Sequence, residues 1–263
     1  MIIDITLLSW NFSSMTIDCL KTLKAKTNAI PYRLIWVDNG STQENFELIK
    51  KTVETLTTGK TACTGYKIFR FKENQFYAKG TNKGIELSDS RYIVTLSNDV
   101  TVTKNWLKKL IMIMDANPEI GLLSPLTDNI GSNCPRASMA IPAHNLLRPD
   151  EPYEQVNKLP SKFAYCDSNV SMFCAILRRK MVNEIGMMDE RFNCYGNDDD
   201  YNDRIRQTTW KSAVALNCFV YHVHKITKDQ IFSPEERGKI RREHRALLRE
   251  KRAMREKEKC MST

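Results

Sequence analysis

The chain has no CxxC pair and no regular cysteine spacing, although it carries 8 cysteines in 263 residues. A thiolate zinc site and a disulfide framework are therefore excluded. Most of the cysteines lie beside apolar residues, as in Phe173-Cys174-Ala175-Ile176-Leu177, and are expected to be reduced, buried thiols. No apolar run approaches the roughly 20 residues that span a bilayer, and Met1-Ile2-Ile3-Asp4 lacks the basic start and cleavage site of a signal peptide. The expectation is a soluble, cytoplasmic protein. The sequence also lacks a GxGxxG fingerprint, a Walker loop and any internal repeat. Lys79-Gly80-Thr81-Asn82-Lys83-Gly84 has its glycines and lysines in the wrong order for a Walker loop, so a bound phosphate would have to be neutralised in another way.

A hydrophobic fraction of 41% is enough for a full core, and one large α/β domain over residues 1–228 is expected, followed by a helical tail over 229–263. The net charge of +9 owes much to that tail. Glu235 to Lys259 is a run of Arg, Lys and Glu with opposite charges three or four apart, as on a solvated helix. It lacks the interleaved aromatics of a nucleic-acid binder, so a solvated charged helix, or a contact to a partner protein or peripherally to an anionic membrane, is preferred to RNA binding.

Strands and helices alternate along the first hundred residues. Ile2–Trp10, Tyr32–Asp38 and Tyr66–Phe71 read as strands, and a fourth ends at Asp99; all four are expected to run parallel. Ser13 or Ser14 is expected to cap the first intervening helix, with Ile17, Leu20 and Leu23 on one face. Asn39-Gly40-Ser41-Thr42 is expected to turn into and cap the second, which carries Phe46, Ile49 and Val53. A third helix fits Ala78–Leu87. Further on, a helix fits Trp106–Asp115, a short strand lies near Gly121-Leu122-Leu123, and Thr127–Lys162 is proline-rich with little periodicity, as in a long functional loop. Ser171–Leu177 reads as a strand, Lys180–Ile185 and Asp198–Gln207 as helices, and Ser212–Tyr221 as a strand ending in His222-Val223-His224.

Three of these strands deliver polar residues to one edge: Ser9-Trp10-Asn11, Asp38-Asn39-Gly40-Ser41 and Ser97-Asn98-Asp99. Ligands collect beyond the carboxyl ends of strands in open α/β sheets, so this edge outlines a nucleotide pocket. Trp10 is suited to stack on a base, and Asp38 to accept the imino proton of a pyrimidine, although a turn acid capping the next helix explains Asp38 equally well. Asp99 suits a hard divalent cation, which would neutralise a departing diphosphate. The acidic run Asn197-Asp198-Asp199-Asp200 matches a helix start. It is not a calcium loop, because Asp203 stands where that loop needs Gly and Thr209 where it needs Glu. Asp198 is the first candidate for a general base, and Asp200 for a fold or acceptor contact. His222 and His224 point to opposite sides of their strand, so one of them at most serves a given site, as a structural residue or as a metal ligand.

Taken in order, Leu8-Ser9-Trp10-Asn11, Val37-Asp38-Asn39-Gly40-Ser41-Thr42, Glu73-Asn74, Asn82-Lys83-Gly84, Leu96-Ser97-Asn98-Asp99-Val100, Arg178-Arg179, Gly186–Phe192, Asp198-Asp199-Asp200 with Arg204, and His222 before Thr227 resemble the family 2 glycosyltransferases. The likeness runs from Ile3 to about Thr227. It implies the GT-A fold, a Rossmann-like, mostly parallel sheet flanked by helices. It also implies inverting, hexosyl-type transfer from a UDP- or dTDP-linked sugar to a glycan, lipid-linked or protein acceptor, with Mn2+ or Mg2+. By this resemblance Trp10 and Asp38 contact the base, while Asn74, Lys79 and Asn82 lie by the nucleotide. Ser97-Asn98-Asp99 takes the DxD position, with Asp99 on the metal; Asp198 is the base and His222 the late metal ligand. The chain departs from the family pattern at Ser97, Phe76, Met172 and Asn197. A non-catalytic nucleotide-sugar or glycan-binding module on the same fold is the alternative.

Overall fold

The computed structural model describes residues 3–127, 162–222 and 231–261. Most of the proline-rich segment, His224 and Thr227 lie outside them. Nine strands among the described residues form one sheet. They are β1 (Ile3–Ser9), β2 (Tyr32–Asp38), β3 (Cys63–Arg70), β4 (Tyr92–Ser97), β5 (Val100–Val102), β6 (Ile120–Thr127), β7 (Phe163–Tyr165), β8 (Cys174–Arg178) and β9 (Lys211–His222). The order is β3-β2-β1-β4-β8-β6-β9-β5, with β7 also on β9. The first four strands are parallel, as their buried β-branched runs led us to expect. β8 enters antiparallel between β4 and β6, β6 and β9 pair in parallel, and β5 and β7 are antiparallel to β9.

The helices are α1 (Ser13–Lys26), α2 (Gln43–Glu54), α3 (Phe76–Leu87), α4 (Trp106–Ala116), α5 (Arg179–Ile185), α6 (Asn197–Ile205) and α7 (Pro234–Met261). Both faces of the sheet are covered. One core gathers Ile5, Leu7, Leu20, Leu23, Trp36 and Trp106; the other gathers Ile85, Ile93, Leu177, Met181 and Tyr201. α2 begins at its expected cap, Thr42, whose side chain accepts the Asn45 N–H. α1 does not begin at a serine cap. Phe12 precedes it in the left-handed region, and the Ser13 N–H is satisfied at 3.0 Å by Asn45 Oδ1 from α2, a tertiary contact.

The glycines of Lys79–Gly84 have a packing role. A Cβ on Gly80 would fall 2.4 Å from Leu8 Cδ1, and one on Gly84 would fall 2.8 Å from Thr6 Cβ. Two successive turns of α3 therefore lie directly on β1, and this close approach fixes where the start of α3 meets the sheet edge.

Asp4 is 0% exposed inside β1 and accepts from Arg33 Nε and Nη2, both at 2.8 Å, and from the Ser88 hydroxyl at 2.7 Å. Burial works against its charge, but these hydrogen bonds and the Arg33 charge outweigh it, so its carboxyl stays below the ordinary value. The stability it contributes is present above the ordinary carboxylate range and is lost as pH falls through the depressed value. Between about pH 6 and pH 3 the melting temperature of the wild type is expected to drop toward that of Asp4→Asn. Parallel melting curves would show that this pair carries no pH-linked stability.

Candidate active site

Loops from the carboxyl ends of β1, β2 and β4, the start of α3, the loop into α6 and the end of β9 enclose a cavity of about 350 Å³. One part of the lining is Ser9, Trp10, Asn39 and Asn74, and another is Asn193 through Asp199. Trp36 Nε1 donates to the Ser9 hydroxyl at 2.8 Å, so a buried indole holds the strand end that precedes Trp10. Asn39 and Asn74 lace the turns together. Asn39 Nδ2 donates to Asn74 Oδ1 at 2.9 Å, and Asn74 Oδ1 also accepts the Phe76 N–H at 2.8 Å.

Asp99 and His222 meet at a third side. β5 follows Asp99 directly and pairs Val100 with His222 of β9, which sets the imidazole beside the carboxylate. His222 Nε2 stands 3.4 Å from Asp99 Oδ2, and Phe173 stacks on the imidazole with centroids 4.2 Å apart. Asp99 Oδ1 is buried with no hydrogen-bond partner among the described residues. An orphaned carboxylate oxygen and an adjacent imidazole form a donor set that fits a divalent cation. No group of three or more His, Cys, Asp or Glu ligands occurs among the described residues.

Asp198 lines the same cavity, on the first turn of α6. The Ser171 hydroxyl donates to its Oδ2 at 3.1 Å, and the helix start favours its negative charge. Gly196 precedes the helix with φ of 83°, the left-handed region where a side chain is strained, and a Cβ there would meet the Phe192 ring at 2.9 Å. Tyr77 spans the floor between the acids, its hydroxyl donating to the Met172 carbonyl at 3.0 Å. Burial, then the charge of Asp198, with a smaller contribution from Asp99, pushes its phenol well above the ordinary value.

Of the residues singled out in the sequence, Trp10, Asn74, Ser97, Asn98, Asp99, Asp198 and His222 share this cavity. Three do not line it. Asp38 is 0% exposed and its carboxylate is engaged: Oδ1 accepts the Ser41 hydroxyl, and Oδ2 the Ser41 N–H and Arg70 Nε, both at 3.2 Å. Burial, against those hydrogen bonds, raises its carboxyl above the ordinary value. Its geometry is that of the turn acid. Lys79 is exposed on the outer face of α3 and donates to Gln75 Oε1 at 2.9 Å, a contact one helical turn away. Asn82 faces the interior, where its Nδ2 donates to the Met188 carbonyl and its Oδ1 accepts the Met188 N–H, both at 2.9 Å, clamping the 186–190 turn. Of the residues that depart from the family pattern, Met172 has its side chain in the core, whereas Phe76 lines the cavity and stacks on Phe232. Tyr77, Phe173, Ser171, Tyr195 and Phe232 were not singled out for the site; only the tertiary fold brings them there.

The sequence model of Glycosyl transferase family 2 matches residues 7–186, which span β1 through α5. The chain belongs to that family. Its fold is similar to those of three solved structures. One is GalNAc-T7 with UDP, GalNAc and Mn2+, at a TM-score of 0.64 and 15% identity over 85% of this chain and 44% of that one. Another is the mannosyltransferase PcManGT from Pyrobaculum calidifontis with GDP-Man and Mn2+, at 0.61 and 14% over 85% and 57%. The third is S. aureus TarS 1–349, at 0.57 and 14% over 84% and 60%. The architecture is thus the expected GT-A fold, and this family 2 chain spans about half the length of those structures. No curated protein matches it. Among the described residues no helix is long and apolar enough to cross a membrane.

Proposed function

We propose that this chain transfers a sugar from a nucleoside diphosphate sugar to an acceptor hydroxyl with inversion at the anomeric carbon. The observation that supports this most is that Asp99, with His222 beside it, and Asp198 line one cavity. Asp198 acts as general base, taking the proton of the acceptor hydroxyl while its Oδ2 is steadied by Ser171. The acceptor oxygen bonds to the anomeric carbon as the bond from that carbon to the diphosphate oxygen breaks on the opposite face. Asp99 and His222 would hold Mn2+ or Mg2+, which supplies charge neutralisation for the leaving diphosphate.

Trp10 offers the base a stacking face. With Asp38 engaged by Ser41 and Arg70, a uracil or thymine preference loses its first ground, so UDP-, dTDP- and GDP-linked hexoses are all donors to test. Glycan, lipid-linked and protein hydroxyls are the acceptor classes. Nucleic acid is disfavoured, because part of the basic tail is committed to acids of its own chain.

A thermal-shift screen of these donors with and without manganese tests the reading, since a ligand of the native state raises the melting temperature. The expected result is a shift that needs both donor and metal and that disappears in Asp99→Ala. A metal-independent shift, or one that survives Asp99→Ala, would remove Asp99 from its role. Binding with no turnover across donors and acceptors would mark a binding module instead.

A further inference from the structure

The C-terminal helix is docked on the wall that carries Asp198. Lys251 Nζ stands 2.5 Å from Asp189 Oδ2 and 2.7 Å from Asp200 Oδ1. Arg252 Nε donates to Asp203 Oδ2 at 2.6 Å, and Arg255 reaches Asp200 and lies 3.7 Å from Asp203. Asp200 shares the first turn of α6 with Asp198, and Asp203 sits on the next turn. Earlier in α7, His244, 7% exposed, accepts the Tyr195 N–H at 3.2 Å through Nδ1 and meets the Phe192 ring edge-on. Arg241 lies 4.8 Å over the Tyr195 ring. Tyr195 and Gly196 are themselves cavity wall.

α6 is a short helix of 9 residues with three acids in its first turn, and a fourth, Asp203, follows. So short a helix has little stability of its own, and like charges at this spacing repel. Arg204 and Arg206 supply part of the counter-charge to Asp200 and Asp203, and the half-buried Lys251 and Arg255 with the more exposed Arg252 of α7 add to it. Burial resists ionisation of Asp200, yet the hydrogen bonds from Lys251 and Arg255 and the charge of Arg204 keep its carboxyl below the ordinary value.

We propose that α7 is a member of the active site: Lys251, Arg252, Arg255 and His244 are positioning residues that brace residues 193–199 and so hold Asp198 at the cavity. The proposal rests on Asp198 being the base. It gives the segment set apart in sequence as a tail a role in the chemistry of the domain before it.

The test uses the full chain carrying Arg252→Gln with Arg255→Gln. Arg255→Lys serves as the conservative variant and Arg249→Gln, on the exposed outer face of α7, as the control. Hydrogen–deuterium exchange over 193–201 is expected to rise in the double variant and to stay at the wild-type level in β1 to β3 and in the control. With a UDP- or GDP-hexose, Mn2+ and an accepting alcohol, kcat is expected to fall about tenfold or more. The donor KM should stay within about twofold, because no residue of α7 lines the cavity, and Arg255→Lys should recover most of the loss. Unchanged exchange at 193–201 overturns the brace, and raised exchange with unchanged kcat overturns its link to Asp198. A wild type that turns over no donor overturns the functional reading instead, and exchange alone then decides the brace. If the double variant does not fold, His244→Ala, read by exchange over 193–196, decides in its place.

Discussion

Asp198→Asn is expected to lower sugar transfer by about two to four orders of magnitude while leaving donor affinity as it was. The substitution is nearly isosteric, and an amide oxygen still accepts the Ser171 hydroxyl that meets the carboxylate at 3.1 Å. What it removes is the capacity to take a proton from an alcohol. Trp10, Asp99 and His222, on the other walls, are untouched, so nucleotide binding with Mn2+ should be retained in calorimetry. Asp199→Asn is the internal comparison. That carboxylate already accepts from Asn169 Nδ2, and its loss is expected to cost little beyond local order. Transfer by Asp198→Asn within about threefold of the wild type would take the residue out of the mechanism.

The second large effect is on stability, at Arg178. Its side chain is 6% exposed at the end of β8, and three backbone carbonyls depend on it, two of them buried and that of Asn117 half-buried: Ile120 at 2.9 Å, Met114 at 2.7 Å and Asn117 at 3.1 Å. Two of those end α4, where a cation complements the helix dipole, and the guanidinium also donates to the Tyr92 hydroxyl at 3.2 Å. Arg178→Met keeps the aliphatic stem and strands these acceptors, each worth about 1 to 3 kcal/mol when left unsatisfied and buried. A loss of roughly 4 kcal/mol is expected, a large part of a typical domain's total stability. Urea denaturation reads it as a lowered midpoint with unchanged slope. A loss under about 1 kcal/mol would mean that water replaces the arginine at this site.

How much of this was legible in the sequence varies with the length scale of the signal. β1 through β4 declare themselves because each is a run of apolar, β-branched or aromatic residues closed by a turn. Thr42 declares α2 because capping is local. The cap of α1 was misread because its true partner, Asn45, comes from another helix. β5, three residues long, was missed, although it is the element that brings His222 to Asp99. Among site residues, chemistry was legible and direction was not. Lys79 and Asn82 sit on the right helix yet face solvent and the 188–190 turn, and Asp38 is enclosed by its own loop and Arg70. The tail was legible as a charged helix. Its acidic partners, Asp189, Asp200 and Asp203, lie tens of residues upstream, and only the packed structure reveals the face they cover.

The seam between α3 and β1 has a consequence for reshaping the cavity. With bare backbone against Leu8 and Thr6 at Gly80 and Gly84, α3 and β1 are already at closest approach and cannot be drawn closer. Room for a bulkier ligand has to come from the side chains that line the cavity, such as Phe76, Tyr195 and Phe232, by replacing an aromatic ring with a smaller side chain.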